Sequence, residues 1–377
     1  MERLPATPRP DWREHVERDL GFVFHTIDGA PYWDETAFYR FAAAEIDGIE
    51  AATAEIEQMA LALVAQVVEA GDEAYERLRI PRAAWDAIQG SWQAGEKNLY
   101  GRFDFCYGGM EPPKLLEYNA DTPTALFEAA VVQWDWLEAV SPGRDQFNSI
   151  HERLIDAWRK FGLGRERLYF SSVKNHTEDG GTIEYLRDTA VQAGLETERI
   201  DIEDIGWDGS NFVDLGNRRI GALFKLYPWE WLVTEEFGPP LLSGAAKIIE
   251  PAWKMVLSNK AALALLWEMA PGHPNLLPAS LEPGGIEGKR VRKPIYSREG
   301  SNVQVQEAGG GVVTETGGGY GAEGFIYQTF APMPEFDGNY PVIGSWVVAS
   351  EPAGMGIRED STAITRDTSR FIPHYFE

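Results

Sequence analysis

Two stretches of strict alternation stand out in a chain that otherwise reads as helices and short apolar strands. In Gly101-Arg102-Phe103-Asp104-Phe105-Cys106-Tyr107, Phe103, Phe105 and Tyr107 fall on one side of an extended strand and Arg102 and Asp104 on the other. In Lys114-Leu115-Leu116-Glu117-Tyr118-Asn119-Ala120-Asp121, Glu117 and Asn119 share a face and Leu116 and Tyr118 take the opposite one. The linker Gly108-Gly109-Met110-Glu111-Pro112-Pro113 has turn chemistry. The pattern therefore predicts a β-hairpin with one apolar face and one face of Arg, Asp, Glu and Asn. Any half-buried hairpin with a solvated polar face alternates in this way. What distinguishes this one is its content, because oxygen donors on adjacent strands suit a hard cation such as magnesium. Asp121-Thr122-Pro123-Thr124 then reads as a helix start with small capping side chains, a natural place for an anion beside a metal.

Elsewhere the periodicity is mostly helical. Residues 1 to about 100 read as mainly helix. A periodic stretch opens at Trp33-Asp34-Glu35-Thr36, carries Ile46, Ile49, Ile56, Met59, Leu61, Leu63 and Val64, and stops at Gly71. A second helix runs from about Pro81 to Ala94, with proline in its first turn. An aromatic-rich helix is predicted from about Ala125 to Val140. Residues 151–235 alternate as α/β structure, with a helix near 146–161, a strand over 167–172, a helix near 180–193 and strands near 198–200 and 222–226. Ser258-Asn259-Lys260 opens a helix through Met269, strands fill much of 323–350, and the glycine-rich segment 308–321 reads as a mobile flap.

Composition narrows the classes. A chain of 377 residues is long enough for two or three lobes and a sizeable core. The net charge of −25 argues against nucleic-acid binding, which needs a positive footprint. No uninterrupted apolar run approaches the roughly 20 residues of a membrane span, and the first residues lack the features of a signal peptide. With Cys106 as the one cysteine, no internal disulfide is possible and a reducing cytoplasm is the expectation. Cys106 itself reads as a packed small residue rather than a nucleophile. The six histidines show no ligand spacing, which argues against a zinc hydrolase.

A second chemical centre lies downstream. Lys289, Arg290, Arg292, Lys293 and Arg298 cluster in an otherwise acidic chain, as an anionic ligand would require. A strand delivers Lys293, and a loop with Ser297, Gly300 and Ser301 follows that can offer backbone N–H groups to phosphate oxygens. Its spacing is not that of a Walker loop. Combined with the hairpin, it suggests a nucleotide held between a basic clamp and magnesium. In Gly354-Met355-Gly356-Ile357-Arg358, two glycines permit close backbone approach and aim the guanidinium.

Taken together, Arg102-x-Asp104, Glu117-Tyr118-Asn119-Ala120-Asp121-x-Pro123, Lys260, Lys293-Pro294 with Arg298-Glu299-Gly300-x-Asn302-Val303, and the Arg358 segment resemble the synthetase domain of glutathionylspermidine synthetase over most of the chain. The resemblance implies an α/β ATP-grasp fold with its metal motif ahead of the nucleotide lysines, as in the permuted arrangement of eukaryotic-type glutathione synthetases. It implies a mainly helical region over 1–100, the metal hairpin and an α/β lobe over 101–250, and a nucleotide-binding lobe over 251–377.

The resemblance also implies roles. Asp104, Glu117 and Asn119 match magnesium ligands. Lys260 and Lys293 match ATP-binding lysines, Ser297 and Gly300 belong to the phosphate loop, and Gln328 resembles a residue near the adenine hinge. Arg102 matches an arginine near the phosphates and acyl substrate, and Arg358 one that steadies the transition state. Thr122 stands near a thiol-tripeptide contact, and Glu178 and Asp179 resemble acids of a polyamine pocket.

The activity this implies is ATP- and magnesium-dependent amide formation between a glutathione-like carboxylate and a polyamine-like amine, through an acyl phosphate. Bifunctional relatives carry an N-terminal amidase with a catalytic cysteine and histidine. Cys106 lies in another context, so hydrolysis of the product by that route is not expected. Two other readings stay open on sequence: a non-catalytic nucleotide- or polyamine-binding homologue of the same fold, and a carboxylate-pair glycoside hydrolase with stacking tryptophans.

Overall fold

In the computed structural model, which describes residues 1–27, 29–366 and 368–377, the alternating hairpin forms as read. Strands Tyr100–Cys106 and Lys114–Asn119 pair antiparallel, with Arg102 opposite Asn119 and Asp104 opposite Glu117. The apolar face closes on itself, with Phe103 and Tyr118 stacked at 3.8 Å. Tyr100–Cys106 also pairs with Tyr340–Val348, which turns back into Glu351–Asp360 and then meets Arg370–Ile372. The result is a five-stranded antiparallel sheet. Strands from both sides of the boundary expected near residue 250 therefore share one sheet.

Apolar residues line both faces of this sheet, so both are covered. On one side the long helix Ala43–Ala70 lies along Tyr340–Val348 and Glu351–Asp360 and buries Ile49, Ile56, Leu63 and Val64 beside Phe103, Phe105, Ile343 and Val347. On the other, Leu126, Val132, Trp136, Ile150 and Trp158 pack with Tyr100, Trp346 and Val348. By length and composition alone the long helix could cross a membrane. Here it is a core helix, with Thr53 bonded to Ser345 and the buried Glu57 receiving the Tyr118 hydroxyl.

Two further sheets frame the centre. Thr197–Asp201, Leu168–Ser172, Ala222–Leu226 and Lys247–Ile249 form a parallel sheet against which helix Thr177–Gln192 packs. Ala279–Ser280, Phe325–Thr329, Arg290–Pro294, Gln304–Gln306 and Val312–Glu315 form an antiparallel sheet facing the hairpin.

Four expectations need correction. The helical stretch expected to open at Trp33 begins only at Ala43. Glu2–Pro5 and Ala37–Phe41 are paired strands, and the second alternates buried Ala37, Tyr39 and Phe41 with half-exposed neighbours. Its period of two was absorbed into the longer helical pattern beside it. Asp121 does not cap the next helix. Ala125 has a left-handed φ of 65°, helical structure starts after it, and the Asp121 carboxylate instead meets Lys225 at 2.5 Å and the Trp229 amide at 2.9 Å. Lys260 lies just before helix Ala262–Met269 rather than inside it. The glycine-rich segment contains the strand Val312–Glu315, which folds back on Gln304–Gln306 as an exposed hairpin.

Candidate active site

The polar face of the hairpin converges on Asp104, which is 3% exposed. Arg102 donates to it from Nε at 2.6 Å and from Nη2 at 3.0 Å. Arg358 Nη2 reaches the same carboxylate at 3.1 Å, and Asn119 Nδ2 at 3.2 Å. Arg102 can lie flat here because Gly344, which stands opposite Asp104 on the neighbouring strand, has no side chain, and a Cβ there would sit 2.8 Å from Arg102 Cδ. Two guanidiniums satisfy this one buried carboxylate, and a paired, hydrogen-bonded charge is tolerated where an unpaired one is costly.

Glu117 stands opposite Asp104, and the Asn119 amide also reaches its Oε1 at 3.3 Å. Lys260 Nζ lies 3.0 Å from Glu117 Oε2 and donates to the Ser297 carbonyl at 2.8 Å. Burial alone would raise the Glu117 pKa, but the charges of Lys260 and Lys293 prevail and hold it well below the usual carboxylate range. Asp104 and Glu117 thus bring carboxylate oxygens together with the Asn119 amide N–H between them, and with that amide turned over the three side chains make a donor set that fits a hard divalent cation.

Lys293 comes from the facing sheet. Its Nζ donates to the Leu116 carbonyl and to Gln328 Oε1, both at 2.8 Å, and Gln328 Nε2 donates to the Leu115 carbonyl at 3.0 Å. Gln328 and Lys293 are near-diagonal partners on adjacent strands, so the antiparallel register brings them together. Burial lowers the Lys293 pKa to about 8 even though Glu117 lies near.

Several of these side chains line a cleft of about 100 Å³. Its lining combines the charged Asp104, Glu117, Lys260 and Lys293 with the apolar Val291, Val305, Phe330 and Val342. The phosphate-type loop closes one wall. Glu299, Gly300 and Asn302 all have φ between 55° and 65°, and the backbone approaches so closely that a Cβ on Gly300 would lie 2.4 Å from the Thr365 carbonyl oxygen. Among the described residues, the amides of Glu299 and Gly300 meet no acceptor, as a loop built for an anion would leave them. Ser297 is buried and its hydroxyl has no partner.

The remaining predicted residues sit beside the cleft. Thr122 accepts a hydrogen bond from Arg298 at its hydroxyl, and Arg298 Nη2 also pairs with Glu230 at 2.9 Å. Glu178 and Asp179 open the helix Thr177–Gln192, where His176 Nδ1 receives the Asp179 amide. Burial, with Asp179 beside it, raises the Glu178 pKa to about 7, and Arg358 and His176 act against that rise. Sequence reasoning missed Tyr32 and Glu128, which meet at 2.5 Å near these acids. The available signal was one carboxylate in the apolar run Ala125-Leu126-Phe127-Glu128-Ala129-Ala130-Val131-Val132. Cys106 is buried, and burial raises its thiol pKa to about 11, which fits a packed residue and not a nucleophile.

A mixed α/β frame that gathers two carboxylates, two lysines and two arginines round one cleft belongs to an enzyme, and by class the chain is an ATP-dependent ligase. It belongs to the glutathionylspermidine synthase preATP-grasp family, which it matches over residues 3–377. A Haemophilus influenzae protein that carries the provisional name acid–amine ligase is 44% identical over 100% of both chains. Trypanothione synthetase of Crithidia fasciculata is 30% identical over 81% of this chain and 51% of its own length. The bifunctional glutathionylspermidine synthetase/amidase of Escherichia coli is 27% identical over 78% and 52%. The chain therefore spans about half the length of these last two relatives. Among solved structures, an apo glutathione synthetase-like effector of Globodera pallida superposes with a TM-score of 0.56 at 11% identity, covering 90% of this chain and 89% of that one, a likeness of fold alone.

Proposed function

We propose that this chain is an ATP-grasp ligase that joins a carboxylate to an amine through an acyl phosphate, acting on a glutathione-like peptide and a polyamine-like acceptor. The observation that carries the reading is the meeting of Asp104 and Glu117, with Asn119 bonded to both, and of Lys260 and Lys293 at one cleft whose lining is otherwise largely apolar. The apolar lining suits the adenine, with Gln328 near it, and the charged side chains suit the phosphates.

Asp104, Glu117 and Asn119 would hold magnesium, which when bound neutralises charge on the phosphate oxygens. Lys260 and Lys293 fix the phosphates, and the Ser297–Gly300 loop offers its amides to them. Arg358 faces the transferring phosphoryl group, while Arg102, anchored on Asp104 and the Thr124 carbonyl, orients the acyl carboxylate. Thr122, with Arg298 bonded to it, lies where the peptide would sit. Glu178 and Asp179 would receive a cationic amine. The exposed hairpin around residues 308–321 would exclude water from the acyl phosphate.

The test is release of ADP and phosphate with magnesium, glutathione and spermidine, with Lys293→Ala and Glu117→Ala as controls. Turnover in the wild type alone is the expected result. Turnover with no thiol peptide and polyamine would remove the substrate assignment, and failure to bind ATP would remove the class.

A further inference from the structure

Glu128 is fully buried in the first turns after Ala125, on a π-helical segment, Glu128–Val132. Such segments collect at functional sites. One carboxyl oxygen receives the Tyr32 hydroxyl at 2.5 Å. The other, Oε2, is buried and has no partner among the described residues. A native fold seldom leaves a buried carboxylate oxygen unpaired, so this oxygen is free to accept a proton donor that binds beside it.

The surroundings say what that donor is. Glu178, on the helix Thr177–Gln192, interacts with both Glu128 and Tyr32, and so does Arg358, on the strand Glu351–Asp360. Tyr32 in turn faces Arg102. The groups round Glu128 are therefore Tyr32, Glu178 and Arg358, with Arg102 next to Tyr32 and with Asp179 and His176 next to Glu178. Two carboxylates that interact within one buried cluster favour a cation, and Arg358 links that cluster to Asp104 at 3.1 Å.

We propose that Glu128 is the base of the amine step, held by Tyr32 and accepting the proton that the acceptor ammonium must lose before it attacks. This inference rests on the ligase reading above. In the step, R–NH3⁺ gives one proton to the Glu128 carboxylate. The nitrogen lone pair attacks the acyl carbon, the C–N bond forms, and the C–O bond to phosphate breaks with its electrons. The nitrogen then loses a second proton to the departing phosphate, leaving amide, HPO4²⁻ and a protonated Glu128. Burial, with Glu178 beside it, raises the Glu128 pKa to about 8, so the group holds a proton well enough to take one from an ammonium.

The experiment compares two nucleophiles in the full chain with ATP, magnesium and a carboxylate donor: spermidine, which is protonated at neutral pH, and hydroxylamine, which is not. In Glu128→Gln, amide formation with spermidine should fall on the order of 100-fold or more, while hydroxamate formation stays near the wild-type rate. Equal loss of both reactions would mean that Glu128 only supports the fold, and retention of both would mean that the base lies elsewhere. Tyr32→Phe gives an independent reading, because the hydroxyl lowers the Glu128 pKa. Its removal should move the rising limb of the spermidine rate profile to higher pH without moving the hydroxylamine profile. An unmoved limb would overturn the proposal. No hydroxamate from the wild type would instead mean that the ligase reading itself has failed.

Discussion

Lys293 and Gln328 meet at 2.8 Å across adjacent strands of one sheet, and each also holds a backbone carbonyl on the edge strand of another, Lys293 that of Leu116 and Gln328 that of Leu115. The cleft is therefore bridged at its floor by a buried cation.

That cation costs stability at neutral pH. Its folded pKa of about 8 lies below the ordinary 10.5, so the unfolded chain binds more protons between those values and stability rises with pH across them. The cost of the buried charge at pH 7 is about 3 kcal/mol by this linkage. Lys293→Met should abolish ATP binding yet leave the urea midpoint at pH 7 unchanged or higher, with any advantage over the wild type shrinking toward pH 10. ATP affinity of the wild type should weaken above about pH 8 as Lys293 loses its charge, which calorimetry across that range would check.

Asp104 is the shared counter-ion of Arg102 and Arg358. Asp104→Asn keeps the shape and removes the charge, leaving two guanidiniums facing each other. Breaking a buried pair in this way costs about 3–5 kcal/mol, to be read as a shift in the denaturant midpoint, with loss of magnesium-dependent turnover.

Glu117 is more open, with its side chain 27% exposed and paired to Lys260. Glu117→Gln should fold and lose turnover by on the order of 10²–10³. Its depressed pKa contributes stability that is fully present above the ordinary value of 4.5 and is lost as pH falls below it. The wild type should therefore lose stability more steeply than the variant as pH falls below 4.5, with the gap between their denaturant midpoints closing.

Gly300 has no room for a side chain. Gly300→Ala meets the Thr365 carbonyl oxygen and a left-handed φ of 65°. Strain of about 1–3 kcal/mol at such a site should raise the KM for ATP on the order of tenfold, while far-ultraviolet circular dichroism stays unchanged.

The hairpin was legible in the sequence because a strand has a period of two, and two facing strands bring Asp104, Glu117 and Asn119 to one face whatever surrounds them. The lysines and the glycine loop were legible as residue types. The strand Ala37–Phe41 was not, because five alternating residues adjoin a 28-residue helical pattern. The fate of Asp121 was not legible either. A carboxylate before a proline and a helical run fits a cap by local rules, and only the parallel sheet reveals Lys225 as its partner.

The sequence by itself determined the local chemistry: which side chains share a strand face, where the chain turns, and that an acidic protein concentrates cations in one segment. The tertiary structure decided which of these meet. Tyr340–Val348 joins the hairpin's sheet, Arg358 reaches Asp104 from its far side, and Tyr32 finds Glu128 within a buried cluster. Periodicity fixes a residue's direction over a few ångströms of chain. Contacts between residues hundreds apart depend on how whole faces pack to exclude water, and that is a property of the assembled core.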